Sequence, residues 1–153
     1  LPFFSETFDL IYMRNVLYYI DHPEKGFSEI CRCMKPKAYF LFSQVVPPDD
    51  SISEEYDWLV GRNIHYPTQK EIIDMFKDFS IIKRLEFILE KQSITNWLNN
   101  TCNDKAKKIE IVQRHRDTSD HYKSLAQYEE TSGDIFVNIK HMLVLGQKRL
   151  LSR

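Results

Sequence analysis

Apolar residues gather in near-continuous runs at a few places along the chain and recur at helical spacing between them. Residues 8–13 hold Leu10, Ile11 and Met13 close together, the pattern of a strand covered on both faces. Pro23, a favoured first helical residue, is followed by Phe27, Ile30, Cys31 and Met34 on one helical face, and Pro36 is predicted to close that helix. Tyr39 to Val46 is aromatic and β-branched and reads as a second buried strand, ended by Pro47-Pro48-Asp49-Asp50. The acidic, aromatic stretch 51–66 predicts one short helix around Glu54 to Val60. Thr68-Gln69-Lys70-Glu71 is a capping box that opens a helix burying Ile72, Ile73 and Phe76.

From Phe79 to Glu90 the pattern changes: Leu85, Phe87 and Leu89 alternate with Glu86 and Glu90, so this strand is expected to expose one face. Residues 93–131 read as a helical insertion or lid. Ser93 caps a short helix with Ile94, Trp97 and Leu98, and Asp104 caps a longer one carrying Ile109, Val112, Arg116 and Tyr122. Ile135 to Leu145 is the last long apolar strand. The order β, α, β, α, β, helical insertion, β assigns the α/β class.

Composition narrows the setting. A chain of 153 residues suits one domain over 1–153 that buries roughly 70% of its unfolded surface. A net charge of −1 gives no global field for nucleic acid or a membrane surface, and no apolar run reaches the ~20 residues of a membrane span. The first residues lack the basic start and apolar core of a signal peptide. Cys31, Cys33 and Cys102 are odd in number, which favours reduced thiols in a cytoplasmic setting, and Cys31-Arg32-Cys33 has no zinc spacing. Without a secretory signal, Asn99-Asn100-Thr101 reads as a chance glycosylation match.

Four short motifs stand in order over about 45 residues: Leu1-Pro2-Phe3, Phe8-Asp9-Leu10-Ile11, Glu29-Ile30-Cys31-Arg32 and Lys35-Pro36-Lys37-Ala38. Their order and spacing resemble the class I S-adenosylmethionine (SAM)-dependent methyltransferases, especially the small-molecule branch that includes the quinone-biosynthesis enzymes. The resemblance implies a partial Rossmann-like sheet, mostly parallel, whose last strand is antiparallel and slots between the two before it. The four strands then lie in the order first, second, fourth, third. The family's glycine-rich cofactor loop and its ribose-binding acidic residue would precede Leu1, so the resemblance covers the carboxyl-terminal part of the domain. An incomplete methyltransferase domain of this kind is expected to bind SAM weakly or not at all alone. The first strand is expected to keep an open edge suited to a dimer or to pairing with another chain, and a non-catalytic interaction module is the alternative reading. Lys37-Ala38 replaces the family's glycine pair, so the turn there must form without it.

Candidate chemistry follows from both readings. The resemblance places Arg14 and Asn15 beside the methionine part of SAM and Leu17 as a wall, with Phe3 either near the adenine or plugging the sheet edge. Asp9 is expected to make turn hydrogen bonds. A methyl acceptor would meet Tyr56, Trp58, Arg62 and Tyr66, with Arg116 from the insertion. His65 is the candidate general base, because imidazole titrates near neutral pH. Arg114, His115, Arg116 and His121 give the insertion local positive character, suited to an anionic ligand or simply to a solvated helix face. His115, Arg116 and Asp117 have no metal-ligand spacing, and no metal is expected.

Overall fold

The computed structural model describes residues 1–61 and 64–149. Among the described residues the strands are β1 (Phe8–Arg14), β2 (Met34–Val46), β3 (Phe79–Ser93), β4 (Glu129–Thr131) and β5 (Asp134–Lys148). The α-helices among them are α1 (Pro23–Cys33), α2 (Ser53–Val60), α3 (Gln69–Met75), α4 (Ile94–Thr101), α5 (Lys105–Asp117) and α6 (Asp120–Leu125). The sheet order is β1-β2-β5-β3, with the short β4 paired to β5. β1 and β2 are parallel. Lys140 Nζ donates to the Pro48 carbonyl, Gln147 Nε2 to Lys37 and Lys148 Nζ to Met34, so β5 runs against β2. The last long strand therefore lies between the second and third, as the resemblance implied.

Two groups of segments pack internally. The first comprises Leu1–Val45, Gln69–Glu86 and the chain from His141 onward; the second comprises Val46–Thr68 and Phe87–Lys140.

In the first group, period-2 alternation puts Phe40 and Phe42 of β2 on one sheet face. Phe27 of α1 meets Phe40 edge-on at 5.4 Å, and Phe76 stacks on Phe40 at 5.5 Å. Phe79 closes the cluster at 5.4 Å from Phe76. All five rings are buried. Such pairs contribute about 0.5–1.5 kcal/mol each beyond their area burial. Gly146 of β5 runs directly beneath: a methyl group there would stand 2.9 Å from Phe76 Cε1 and 3.1 Å from Phe79 Cβ.

Several elements depart from the expected pattern. α1 ends at Cys33, before Pro36, because the Met34 amide donates back to Cys31 and Ile30 while its own backbone turns extended. Pro36 lies inside β2, where the β1 register jumps from Phe8↔Met34 to Leu10↔Tyr39. Lys37 occupies the left-handed region in that irregularity (φ 63°), so lysine adopts the conformation that glycine would favour. The expected long insertion helix is two: α5 stops at Asp117, and Ser119 starts α6 by accepting from the Tyr122 amide.

β1 is less buried than its apolar run suggests, with Leu10 58% and Tyr12 56% exposed and only Met13 buried. Among the described residues it pairs with β2 alone. β3 lies last in the strand order and is exposed along nearly its whole length, not on one face. No helix among the described residues is long and apolar enough to cross a membrane.

The ring cluster gives a test. Gly146→Ala should cost about 1–3 kcal/mol, because Phe76 is locked by its neighbours and cannot yield. Urea unfolding measures it, and an unchanged midpoint would show that β5 can shift away from the rings.

Candidate functional site

Two sets of residues hold the expected chemistry, one in each packed group. In the first, the four motifs make contacts that explain their spacing. Arg32 donates to the carbonyls of Leu1 and Phe3 (3.3 and 3.0 Å) and to Ser5, while Glu29 accepts from its Nε at 2.8 Å. Glu6 and Thr7 amides bond to the carbonyls of Arg32 and Cys33. Asp9, expected to form a turn, instead pairs with Lys35 at 2.7 Å. Each of the two early motifs is thus tied to a later one: Leu1-Pro2-Phe3 to Arg32, and Phe8-Asp9 to Lys35. Phe3 is half-exposed and packs edge-on against Phe8 at 5.0 Å.

The carboxyl ends of β1 and β2 are joined by Asn15. Its backbone is left-handed (φ 49°), a conformation asparagine tolerates better than most residues. Its amide donates to the Ser43 carbonyl at 2.9 Å, and its Oδ1 accepts from the Val45 amide at 3.0 Å. Leu17 is buried in the following 3₁₀ turn. Arg14 is exposed. The buried imidazole of His141 is pushed toward its neutral form first by burial and then by the charge of Arg14.

Gln44 completes this end of the sheet. It is fully buried, and neither its Nε2 nor its Oε1 finds a hydrogen-bond partner among the described residues. An orphaned buried amide is costly and calls for a partner.

In the second group, α2 ends at Gly61, whose left-handed backbone (φ 63°) lets the chain turn back. The returning segment docks on Asp57. Oδ1 accepts from the Tyr66 amide at 2.7 Å, and Oδ2 lies 2.7 Å from His65 Nδ1. Asp57, Trp58, Gly61, Ile64, His65, Lys107 and Arg114 line an open cleft of about 560 Å³. Arg114 lies 5.3 Å over the Trp58 ring and also donates to the Trp58 carbonyl and to Glu110. Lys107 pairs with Glu110 at 3.1 Å.

The expected acceptor residues separate in this frame. His65 and Trp58 share the cleft. Tyr56 and Tyr66 are buried beside each other, with rings 5.3 Å apart, and contribute packing. Arg116 pairs with Glu130 at 2.9 Å and lines a different groove of about 230 Å³ with Leu98, Ile109 and Val112. Arg62 lies outside the described residues. His115 is buried, bonded to the Ile111 carbonyl at 2.8 Å and kept toward neutrality by burial, so the positive run is largely absorbed into the fold. Asp57, Lys107 and Gln44 escaped the sequence reading, and Arg114 was marked there only as part of the positive run of the insertion, because nothing local marks them as neighbours of His65 or of the strand ends.

A family profile described as a methyltransferase domain matches residues 2–85, more than half of the chain. This chain belongs to the methyltransferase domain family. Among curated proteins, none matches. Of solved structures, a candidate methyltransferase of Bacillus halodurans, BH2331, superposes with a TM-score of 0.85 at 16% identity, over 98% of this chain and 68% of that one. YcgJ of Bacillus subtilis gives 0.82 at 19% identity over the same shares. A SAM-dependent methyltransferase of Methanosarcina mazei gives 0.56 at 15% identity, over 98% and 63%. At these identities the likeness shows the fold, a class I methyltransferase fold. The motif pairs lie inside the matched region, whereas the Asp57–His65 cleft draws Lys107 and Arg114 from beyond it.

The joint between α2 and α6 is also pH-sensitive. Burial alone would raise the Glu55 carboxyl, but hydrogen bonds from the Thr118 hydroxyl and the Ser119 amide and hydroxyl outweigh it and hold it below its ordinary value. A carboxyl lowered by folding stabilises above its unfolded pKa, about 4.3 for glutamate, and the contribution is lost as pH falls through the lower folded value. Glu55→Gln should therefore flatten the loss of stability below about pH 4.3, read by urea titration at a series of pH values. An unaltered slope would place that acid sensitivity elsewhere.

Proposed function

We propose that this protein is a SAM-dependent methyltransferase acting on a small molecule. The observation that carries the reading is the joined carboxyl end of the parallel pair β1–β2, where open α/β sheets bind their ligands. The residues there suit SAM's polar amino-acid end: Arg14 supplies a positive charge, Asn15 a fixed turn, and Gln44 a buried donor and acceptor without partners among the described residues. Leu17 would form an apolar wall and Phe3 would pack near the adenine. SAM supplies an electrophilic methyl group, and the protein's contribution is to align the acceptor with it. The acceptor would enter the cleft lined by Trp58 and His65. The three free cysteines support a reducing, cytoplasmic setting.

Calorimetry of the full-length protein with S-adenosylhomocysteine tests the cofactor reading. Binding is expected, and Asn15→Ala should weaken it about tenfold, or 1.4 kcal/mol, by releasing the Val45 amide from its clamp. Absence of binding in the full-length protein would sink the reading.

A second reading, association through the first strand, is favoured by the exposure of Leu10 and Tyr12 on β1 and of Phe4, which is 91% exposed. Light scattering after size exclusion should then show a dimer or larger species that Leu10→Lys dissociates. A monodisperse monomer at high concentration argues against it.

A further inference from the structure

We propose that two copies of this chain associate through β3, each pairing antiparallel with its own counterpart about a twofold axis at Leu85, so that one sheet runs through both.

β3 is last in the strand order, and among the described residues no strand lies beyond it. It is 15 residues long, well above the five or six of an ordinary strand. Its first residue with a positive φ is Lys91, so the extended backbone is regular up to Glu90. Ile81, Ile82, Leu85, Phe87, Ile88 and Leu89 are between 38% and 56% exposed, and by alternation they fall on both faces of the strand. Edge strands are usually guarded against pairing by proline, bulges or charges of one sign. β3 contains no proline, and its charges are of both signs.

The order of those residues selects the partner. Ile81-Ile82-Lys83-Arg84-Leu85-Glu86-Phe87-Ile88-Leu89 is complementary to itself when reversed about Leu85. Residues opposite each other in an antiparallel pair share a face, so the axis of a self-pairing must fall on a residue. With the axis at Leu85, Ile81 meets the partner's Leu89, Ile82 meets the partner's Ile88, and Arg84 meets the partner's Glu86. The alkyl stem of Lys83 lies beside the partner's Phe87. Symmetry repeats each contact, and the two leucines meet on the axis. Moving the axis one residue sets Arg84 against the partner's Arg84, or Glu86 against the partner's Glu86, and like charges directly opposite destabilise a pair. Within one copy Arg84 already lies 3.9 Å from Glu86 on the same face, so pairing joins two such bridges into a ring of four charges. Exposed ion pairs contribute little by themselves; here they select the register, and the apolar pairs supply the attraction.

The test is the oligomeric state of the full-length protein, read by light scattering after size exclusion over a dilution series. A dimer is expected. Leu85→Lys sets two ammonium groups against each other and should give a monomer; because Leu85 is 46% exposed, the fold should survive, and a melting curve checks that. Arg84→Glu and Glu86→Arg should each weaken the dimer about tenfold, since either creates two like-charged pairs. The double variant Arg84→Glu/Glu86→Arg should restore it. Mild oxidation of Leu85→Cys should give a covalent dimer, because opposite Cα atoms in an antiparallel pair lie about 4.5–5.5 Å apart, within disulfide reach. Ile81→Cys should not, because its two thiols would stand about 27 Å apart along the strands. A monomer at every concentration, a dimer indifferent to Leu85→Lys, or charge variants that do not compensate would each overturn the proposal. A dimer dissociated by Leu10→Lys and not by Leu85→Lys would overturn it in favour of the first strand. None of these readouts involves S-adenosylhomocysteine, so this inference and the methyltransferase reading stand or fall separately.

Discussion

The close approach of β5 to the phenylalanine cluster is the constraint on which the first packed group depends. Phe40 is gripped between Phe27 and Phe76, and Phe76 in turn lies against Gly146. The strand comes this close to the Phe76 ring and to Phe79 Cβ at a residue without a side chain. Gly146 thereby helps to seat the last strand between β2 and β3. That seating keeps β2 interior and leaves β1 and β3 as the outer members of the order, which accounts for their exposure.

The family motifs acquire a physical meaning in this frame. Arg32 and Lys35 sit just before and within the start of β2; Arg32 reaches back to the segment that leads into β1, and Lys35 to Asp9 at the start of β1. These are exposed contacts, and individual surface ion pairs contribute little stability. Their value lies in registration. They align the entry of β1 with that of β2 across an irregular stretch that includes a left-handed Lys37. With the entries aligned, the exits are aligned as well, and Asn15 can bond both Ser43 and Val45.

A similar economy appears in the second group, where single acidic side chains organise returning loops. Asp57 gathers the Tyr66 amide and His65; Glu55 gathers Thr118 and Ser119; Asp134 gathers Ser93, Thr95 and its own following amide. In each case a carboxylate satisfies backbone donors that a turn or helix start would otherwise leave open. Asp57 differs because one of its partners is a titratable ring on a cleft.

Local patterns along the chain determined the element types, the caps at Ser93 and Asp104, the α/β class and, through the four motifs, the strand order. They work because periodicity, capping and turn chemistry act over a few residues. They also marked His65, Trp58, Arg14 and Asn15 as residues worth placing. Tertiary structure alone decided which of those residues meet. It drew Lys107 and Arg114 of α5 to His65, buried Tyr56 and Tyr66 in packing, sent Arg116 to Glu130, and set Gln44 near a strand end without partners among the described residues. It also decided that β1, apolar in sequence, is largely exposed, because burial depends on what covers a strand and not on the strand's own residues. Side chains such as Asp57 and Arg114, 57 positions apart in the chain, become neighbours only once the loop after Gly61 folds back, and no short-range pattern records that contact.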